Sequence, residues 1–443
     1  MSPDQIAAVA MMSLLLVMVI CGIHLAFGLM FLAMVFGLIF QGPAIFSMSM
    51  LKIFGGTMQS EILIAVPLFV FMGTILEKSE VAEGVYQSLY ELFGPVRGGL
   101  AFATVITCTI FASCTGVIAA TVTTMTLLAV PSMLKRKYDK GLATGVVCAG
   151  GSLGILIPPS VMLVMYGPMA NLSVAQLFAA ALFPGLVLSV LYLLYIGLGS
   201  WLKPALAPAI RDEERTVKGG RLWLRAAKNM IPSLVLIIAV LGSIIGGVAS
   251  PTEASGVGAF AALIIAAAYR KLTYPNIREA AYTTLIVTAM VFFIIIGASI
   301  FNSVFLFLGG GALIKSLLMS LPLGKWFVLF VMMFVLFILG FFISWQGLLY
   351  VVVPIFLPVA TSLGFHPLWF GLLICLNLQM SFLTPPFAYA IFFVKGAAPK
   401  EVKTWDIYRG VIPFVILQAV AVFLCIVFPE IILWLPRVTL GAG

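Results

Sequence analysis

Charged side chains are scarce in this sequence. Asp, Glu, Lys and Arg make up only 9% of its 443 residues, whereas 63% are apolar; a soluble domain carries about 25% charged residues. Residues 141–202 and 326–394 contain no charged side chain at all, and each segment can hold two or three membrane crossings of about 20 residues. The composition excludes a soluble globular domain and predicts an all-α polytopic membrane protein.

Motifs for metal-dependent or nucleotide-driven chemistry are also missing. The patterns HExxH, GxxxxGK[ST] and CxxC do not occur, although each would be expected in a common class of enzyme or metal site. The six cysteines lie in apolar segments, where they are expected to be small buried hydrophobic residues. We therefore predict no enzyme activity, no cofactor and no transition metal. Transport energy has to come from an ion gradient or from a partner.

Prolines, by contrast, recur with a regular spacing. Pro131 precedes the pair Pro158-Pro159, and Pro358 precedes the pair Pro385-Pro386 at the same distance along the chain. The two stretches therefore align without a gap at an offset of 227. Apolar segments that are interrupted at corresponding positions of two halves mark the binding site of a secondary transporter. The spacing predicts an internal repeat with a broken helix in each copy.

Basic residues precede the broken helix in the first copy and follow it in the second. Residues 135–140 include four Lys or Arg, and the corresponding residues 361–366 include none. After the proline pairs the bias is reversed, because 161–200 has no basic side chain and 395–409 has four. Basic loops face the cytoplasm, so equivalent points of the two copies face opposite sides of the membrane. The repeat is predicted to be inverted.

These patterns predict two membrane halves. The first comprises residues 1–200 with a broken helix at 141–170, and the second comprises residues 229–443 with a broken helix at 368–394. A basic connector, 201–228, joins them in the cytoplasm. Ten full crossings result, with both termini in the periplasm.

Two further apolar regions, 98–134 and 326–360, are predicted to be re-entrant helical hairpins. The first is interrupted at 113–116 and the second at 344–347 by small or polar residues. An arm of about 15 residues reaches about 22 Å, less than the hydrocarbon core of about 30 Å. Irregular backbone at that depth is tolerated only where it is buried in protein or lines a wet cavity.

The interruptions are candidates for Na⁺ binding. A proline inside a helix frees the carbonyl four residues before it, and free carbonyls beside Ser, Thr, Asn and Gln oxygens suit a hard monovalent cation. An alternative interpretation is that these Gly and Ser residues only allow close helix packing and bind no ion. The candidate cation ligands are Ser113, Thr115, Gly116, Gly150, Gly151, Ser152, Gly154, Ser344, Gln346, Gly347, Asn377, Gln379, Ser381 and Thr384.

Half-helices that begin at the hairpin tips would point N–H groups toward the midplane and so could receive an anion. Glu253 is expected to be a helix cap rather than an ion ligand, and His24 to be an interface residue. The candidate substrate residues are Ser113, Thr115, Pro158, Pro159, Ser160, Trp345, Pro385, Pro386 and Phe387.

The stretch Gly150-Gly151-Ser152-Leu153-Gly154-Ile155-Leu156-Ile157-Pro158-Pro159-Ser160 closely resembles the signature of the large (DctM-like) membrane subunit of TRAP, or tripartite ATP-independent periplasmic, transporters. Further stretches that resemble this family are Phe69-Val70-Phe71-Met72-Gly73, Ala112-Ser113-Cys114-Thr115-Gly116, Pro251-Thr252-Glu253-Ala254, Asn377-Leu378-Gln379-Met380-Ser381-Phe382-Leu383-Thr384-Pro385-Pro386 and Trp434-Leu435-Pro436. The resemblance covers nearly the whole chain.

The resemblance implies an elevator-type, Na⁺-driven importer of carboxylates in the bacterial inner membrane. It also implies two partners, a periplasmic substrate-binding protein and a small four-helix membrane subunit, and no nucleic acid. One position departs from the family, which usually has aspartate at the second hairpin tip where this sequence has Ser344. The loss of that carboxylate is expected either to weaken one cation site or to change the number of ions that are transported.

Two alternatives come from other classes. A stand-alone Na⁺/dicarboxylate symporter of the citrate-transporter type has similar hairpins, but its tips would carry Ser-Asn-Thr, which both tips here lack. A channel or structural membrane protein would show gradient-independent flux or none.

Overall fold

The computed structural model describes residues 2–116, 118–209, 220–386 and 388–441, with only the backbone of 220–223. Within these residues the chain is helical and contains no strand. The α-helices are α1 (Pro3–Ile20), α2 (Leu25–Gln41), α3 (Ala44–Leu51), α4 (Ala65–Lys78), α5 (Val81–Phe93), α6 (Gly99–Thr115), α7 (Ile118–Lys135), α8 (Lys140–Ser152), α9 (Val161–Ala170), α10 (Val174–Leu202), α11 (Gly220–Ile245), α12 (Pro251–Ala268), α13 (Tyr274–Phe307), α14 (Gly310–Met319), α15 (Gly324–Leu339), α16 (Trp345–Ser362), α17 (Pro367–Ser381), α18 (Tyr389–Ala397), α19 (Thr404–Val427) and α20 (Glu430–Leu440). Shorter helical segments are Lys52–Met58, Glu61–Ile64, Leu153–Ile155 and Pro204–Leu206.

The prediction of an all-helical, polytopic membrane protein is confirmed. Eight helices in the described part of the chain are long and apolar enough to cross a membrane, or nine if the pair Ala44–Met58 and Glu61–Lys78, bent by 60°, forms one span. Length alone does not reproduce the ten predicted crossings. Helix α2 is shorter than a full span, and the two predicted broken helices are each divided into shorter pieces.

Helices in the two halves have matching bounds at the offset of 227. Adding 227 to the first and last residue numbers of α7 gives those of α16. The same addition takes the first residue of α8 to the first residue of α17, and the last residue of α9 to the last residue of α18. The Pro158-Pro159 and Pro385-Pro386 peptide bonds between these pieces are both cis. The two stretches therefore follow the same order of helices and breaks.

The break between α6 and α7, which we call the first tip, lies at the end of the predicted interruption 113–116, because residues 113–115 form the last turn of α6. Helix α6 ends at Thr115, and Gly116 has a φ of 59°, a left-handed conformation that glycine adopts without a steric penalty. Its backbone also lies close to the Pro158-Pro159 break, since a Cβ on Gly116 would come within 3.0 Å of the Pro159 carbonyl oxygen.

The break between α15 and α16, which we call the second tip, lies earlier in the chain than predicted. Helix α15 ends at Leu339, and α16 starts at Trp345 with Ser344 as an extended N-cap residue. The break therefore covers 340–344, and the predicted break residues 345–347 form the first turn of α16 instead. The break begins where the chain approaches α17 closely, since a Cβ on Gly340 would lie 2.5 Å from the Ser381 Cβ.

Two further features concern the connector and the packing of α8. Helix α11 begins at Gly220, so the predicted connector 201–228 is helical in its last part.

Helices α8 and α19 touch through glycine, since a Cβ on Gly145 would lie 2.2 Å from the Gly410 carbonyl oxygen. Small residues allow this kind of close helix contact in membranes. The contact brings the end of α8 beside the middle of α19.

Candidate substrate cavity and ion sites

A cavity of about 150 Å³ lies between the first tip, the start of α16 and the two helix breaks that contain the proline pairs. We call it the central cavity. Helices α4 and α13 complete its wall with Val70 and with Val287, Met290 and Val291. Its lining includes three pairs of residues that are 227 positions apart, namely Ile118 and Trp345, Ala119 and Gln346, and Ile155 and Phe382.

The central cavity is largely apolar. Among its described lining residues none is acidic or basic, and the polar groups come from Gln346, Trp345 and Tyr389. Trp345 and Gln346 are the first two residues of α16. Free backbone N–H groups and the positive end of a helix dipole therefore lie at the cavity wall, where they favour an anion.

A second cavity of about 230 Å³ adjoins the first and is called the side cavity. It shares Met290, Gln346 and Tyr389 with the central cavity and also contacts Ser344 and His24. The Ser344 hydroxyl oxygen is buried and has no hydrogen-bond partner. This oxygen is free to bind a ligand, which is the property expected of a candidate at the second tip.

The hydroxyl groups near the first tip bond within α6 and α7. Ser113 Oγ donates to the Thr109 carbonyl at 3.0 Å, and Thr115 Oγ1 lies 2.9 Å from Thr121 Oγ1. Gly116 lines the central cavity directly. Of the three predicted residues at this tip, only Gly116 reaches that wall.

Besides Gly116, four glycines are candidate cation ligands, and three of these four make close packing contacts. An added Cβ would lie 2.8 Å from Cys108 Cβ at Gly150, 2.3 Å from Val122 Cγ2 at Gly151 and 1.8 Å from Leu25 Cδ2 at Gly347, whereas Gly154 has more room, at 3.6 Å from Ala112 Cα. The packing interpretation therefore applies to the first three, which let α8 and α16 approach their neighbours.

The proline pairs lie outside the described lining of the central cavity. Pro158 and Pro159 are buried, and Ser160 Oγ donates to the Ile155 carbonyl, one of the two carbonyls that the prolines free. Pro385 and Pro386 are exposed, and Pro385 lines a separate apolar cavity beside α19. The candidate Phe387 lies outside the described residues.

Three further candidate ligands, all in the second half, are not among the described lining residues of the central cavity. Ser381 Oγ donates to the Leu378 carbonyl at 2.6 Å, and Thr384 Oγ1 donates to the Met380 carbonyl at 2.9 Å. Asn377 Nδ2 donates to Met333 O at 2.8 Å, and the Asn377 side chain lines a groove of about 410 Å³ formed with α15 and α19.

Two predicted residues meet each other directly. Gln379 Nε2 lies 3.2 Å from Ser152 Oγ, and these positions are equivalent in the repeat. Gln418 Nε2, on α19, lies 3.3 Å from the same oxygen, and Tyr192 on α10 faces Gln418 and Ser152. We call these four residues the axial cluster.

Sequence reasoning missed several of these residues. Gln418 is a single amide in an apolar span, and polar residues at such positions are commonly functional; that signal could have found it. Tyr192, Met290 and Tyr389 carry no comparable signal, because aromatic and Met residues are frequent throughout the chain.

The capping interpretation of Glu253 is confirmed, since its carboxylate accepts from the Ser250 N–H at 2.7 Å.

A helical membrane protein with matched helix breaks around an uncharged cavity has the architecture of a secondary transporter. The chain belongs to the DctM family, because residues 8–431 match the family described as "Tripartite ATP-independent periplasmic transporter, DctM component". It is therefore a transporter subunit and not an enzyme, as predicted. The family match favours this assignment over the stand-alone symporter.

Comparisons with individual proteins agree with this family assignment. The C4-dicarboxylate TRAP transporter large permease protein DctM of Vibrio cholerae is 28% identical over 98% of this chain and 98% of its own length. The protein of the same name from Pseudomonas aeruginosa is 30% identical over 85% of this chain and 86% of its own. The YdaH transporter of Alcanivorax borkumensis superposes with a TM-score of 0.64 at 14% identity, covering 88% of this chain and 90% of its own, which shows a shared fold.

Proposed function

We propose that this chain is the large membrane subunit of a Na⁺-driven importer of a small organic acid in the bacterial inner membrane. A periplasmic substrate-binding protein delivers the acid, and a small four-helix membrane subunit lies beside this one. The observation that carries the proposal is the central cavity, whose wall contains Gly116 of the first tip, the first turn of α16 and residues from both helix breaks. Both relatives described above are named for C4-dicarboxylates, so dicarboxylates are the first substrates to test.

The proposed topology follows from the repeat. Residues 1–200 and 229–443 form inverted halves joined by the cytoplasmic connector 201–228, and the re-entrant hairpins 98–134 and 326–360 enter from opposite faces. Matching helix bounds at the offset of 227 support this arrangement. In the elevator mechanism, the hairpins and broken helices carry the central cavity across the membrane as one body.

The substrate anion and the Na⁺ ion are proposed to bind different groups. The first turn of α16 supplies N–H groups to a substrate carboxylate, with the Gln346 amide beside them. Na⁺ binds oxygens at the helix breaks, including the unpartnered Ser344 hydroxyl. Since no described lining residue of the central cavity is basic, a nearby cation would neutralise the bound acid and couple the two movements.

Uptake by reconstituted vesicles tests this function. Vesicles that contain both membrane subunits are given radiolabelled succinate, fumarate and malate, each with the binding protein from the same operon, and an inward Na⁺ gradient. Uptake should require both the binding protein and Na⁺. Full uptake with the binding protein omitted, or with choline in place of Na⁺, would overturn the proposal.

A further inference from the structure

The axial cluster contains more buried oxygen atoms than its hydrogen bonds satisfy. Ser152 Oγ donates to the Ala149 carbonyl at 2.8 Å and accepts from the amide nitrogens of both Gln379 and Gln418. The Gln379 and Gln418 amide oxygens have no partner, and the Tyr192 hydroxyl approaches Gln418 and Ser152 without forming a hydrogen bond of normal geometry. All four side chains are at most 1% exposed. Buried polar groups without partners are rare and indicate a missing water or ion.

The arrangement fixes which atoms are free. Because Ser152 Oγ binds both amide nitrogens, the two amide oxygens are turned away from it and left as acceptors. Donors are scarce, since the Tyr192 hydroxyl is the one donor among these three unpartnered groups. A water molecule could donate to both amide oxygens and accept from the Tyr192 hydroxyl, whereas a cation would bind all three oxygens directly. The charge of the surroundings distinguishes the two.

Helix dipoles add a preference for positive charge. Helix α8 ends at Ser152, and Gln379 lies in the last turn of α17, which ends at Ser381. The negative ends of two helices therefore meet at the cluster. Each helix C-terminus carries about half a negative charge and stabilises a cation, and C-terminal ends of broken helices bind Na⁺ in other transporters.

We infer that the axial cluster is a site for one Na⁺, in addition to those at the helix breaks and tips, with the Gln379 and Gln418 amide oxygens and the Tyr192 hydroxyl oxygen as side-chain ligands. This inference rests on the proposed Na⁺ coupling. Ser152 is a positioning residue that orients both amides. Because Ser152 and Gln379 are equivalent positions of the repeat, the site lies on the axis that relates the two halves, where an ion would hold the two broken helices together.

Equilibrium binding of ²²Na⁺ to the purified complex of both membrane subunits tests the site without any substrate. Gln418→Leu and Gln379→Leu, which keep the side-chain volume, should each bind one Na⁺ fewer than the wild-type complex. Tyr192→Phe removes only a hydroxyl and should weaken that site about tenfold. Ser189→Ala is the matched control: it removes a buried hydroxyl on α10 that donates to the Gly185 carbonyl at 2.9 Å, and it should leave the number of bound Na⁺ unchanged.

The outcomes separate this inference from the proposed function. A wild-type complex that binds no Na⁺ overturns both. A wild-type complex that binds Na⁺, with unchanged stoichiometry in Gln418→Leu and Gln379→Leu, overturns only the axial site and identifies the cluster as a hydrated hydrogen-bond network. If the leucine variants do not fold, Gln418→Glu decides the question: an added carboxylate should raise the affinity of the axial ion at least tenfold, and unchanged binding would contradict the site.

Discussion

At the scale of single residues, the strongest contrast lies between side chains that face a cavity and those that bond to their own helix. Most predicted Ser and Thr ligands donate to a carbonyl three or four residues earlier. Such bonds are common for hydroxyl side chains inside helices. They leave lone pairs on the oxygen but orient it along its own helix. Ser344 differs because it precedes the first turn of α16 and has no partner.

Ser344→Asp should therefore raise the apparent Na⁺ affinity of transport by about tenfold, the factor that about 1.4 kcal/mol of binding free energy provides. A carboxylate binds a hard cation better than a hydroxyl group does. A carboxylate buried without a cation would take up a proton, so the gain should be larger at the higher of two pH values. Thr361→Asp adds the same charge at an exposed position near the end of α16 and serves as the control. Equal Na⁺ dependence in both variants would show that the second tip holds no ion.

Gly151→Val should abolish transport and lower the thermal stability of the purified protein. The added Cβ would lie 2.3 Å from Val122 Cγ2, and overpacking of this kind destabilises by about 1–3 kcal/mol. The double variant with Val122→Ala should recover much of the melting temperature. Gly256→Val is the control, because a Cβ there has nothing within 4 Å. Near-normal uptake by Gly151→Val alone would contradict a tightly packed break.

At the scale of helices, the sequence predicts where the breaks fall better than what the side chains do there. Proline and glycine act locally, so the positions of the proline pairs and of Gly116 at helix breaks follow from residue type. The second tip lies earlier in the chain than predicted, at 340–344, where Gly340 is in close contact with α17; such tertiary contacts leave no local signal. The partnership of Ser152 with Gln379 and Gln418 likewise depends on how α8, α17 and α19 pack.

The start of α17 gives a pH-dependent prediction at this scale. His366 caps the helix, and its Nδ1 accepts from the Leu368 N–H at 3.2 Å. Burial, and next the Arg437 guanidinium, lower the pKa of His366 from its usual 6.5. The neutral ring therefore stabilises the folded state above pH 6.5, and this contribution is lost as the pH falls through the lowered pKa.

Melting temperatures at pH 7.5 and pH 5 measure this effect. The wild-type protein should lose more stability on acidification than His366→Asn, because asparagine keeps a capping oxygen that does not titrate. An identical pH dependence in the two proteins would show that the cap does not contribute to the acid sensitivity of the fold.

At the scale of the whole molecule, the central claim is that equivalent positions of the two halves face opposite sides of the membrane. Lys135 and Ser362 are the last residues of α7 and α16, occupy equivalent positions of the repeat and are both exposed. They are a matched pair for testing that claim. Five of the six native cysteines are buried and Cys21 is exposed, which corrects the expectation that all six are buried, so a Cys21→Ala background leaves few competing thiols at the surface.

In that background, a membrane-impermeant maleimide added to intact spheroplasts should label Ser362→Cys and leave Lys135→Cys unmodified until the cells are lysed. The reason is the distribution of charge: the loop after α7 carries several basic residues, which are retained in the cytoplasm, whereas the loop after α16 carries none. Labelling of both cysteines from the same side would mean that the halves are parallel repeats. The two hairpins would then enter from one face, and the central cavity could not be reached alternately through equivalent gates.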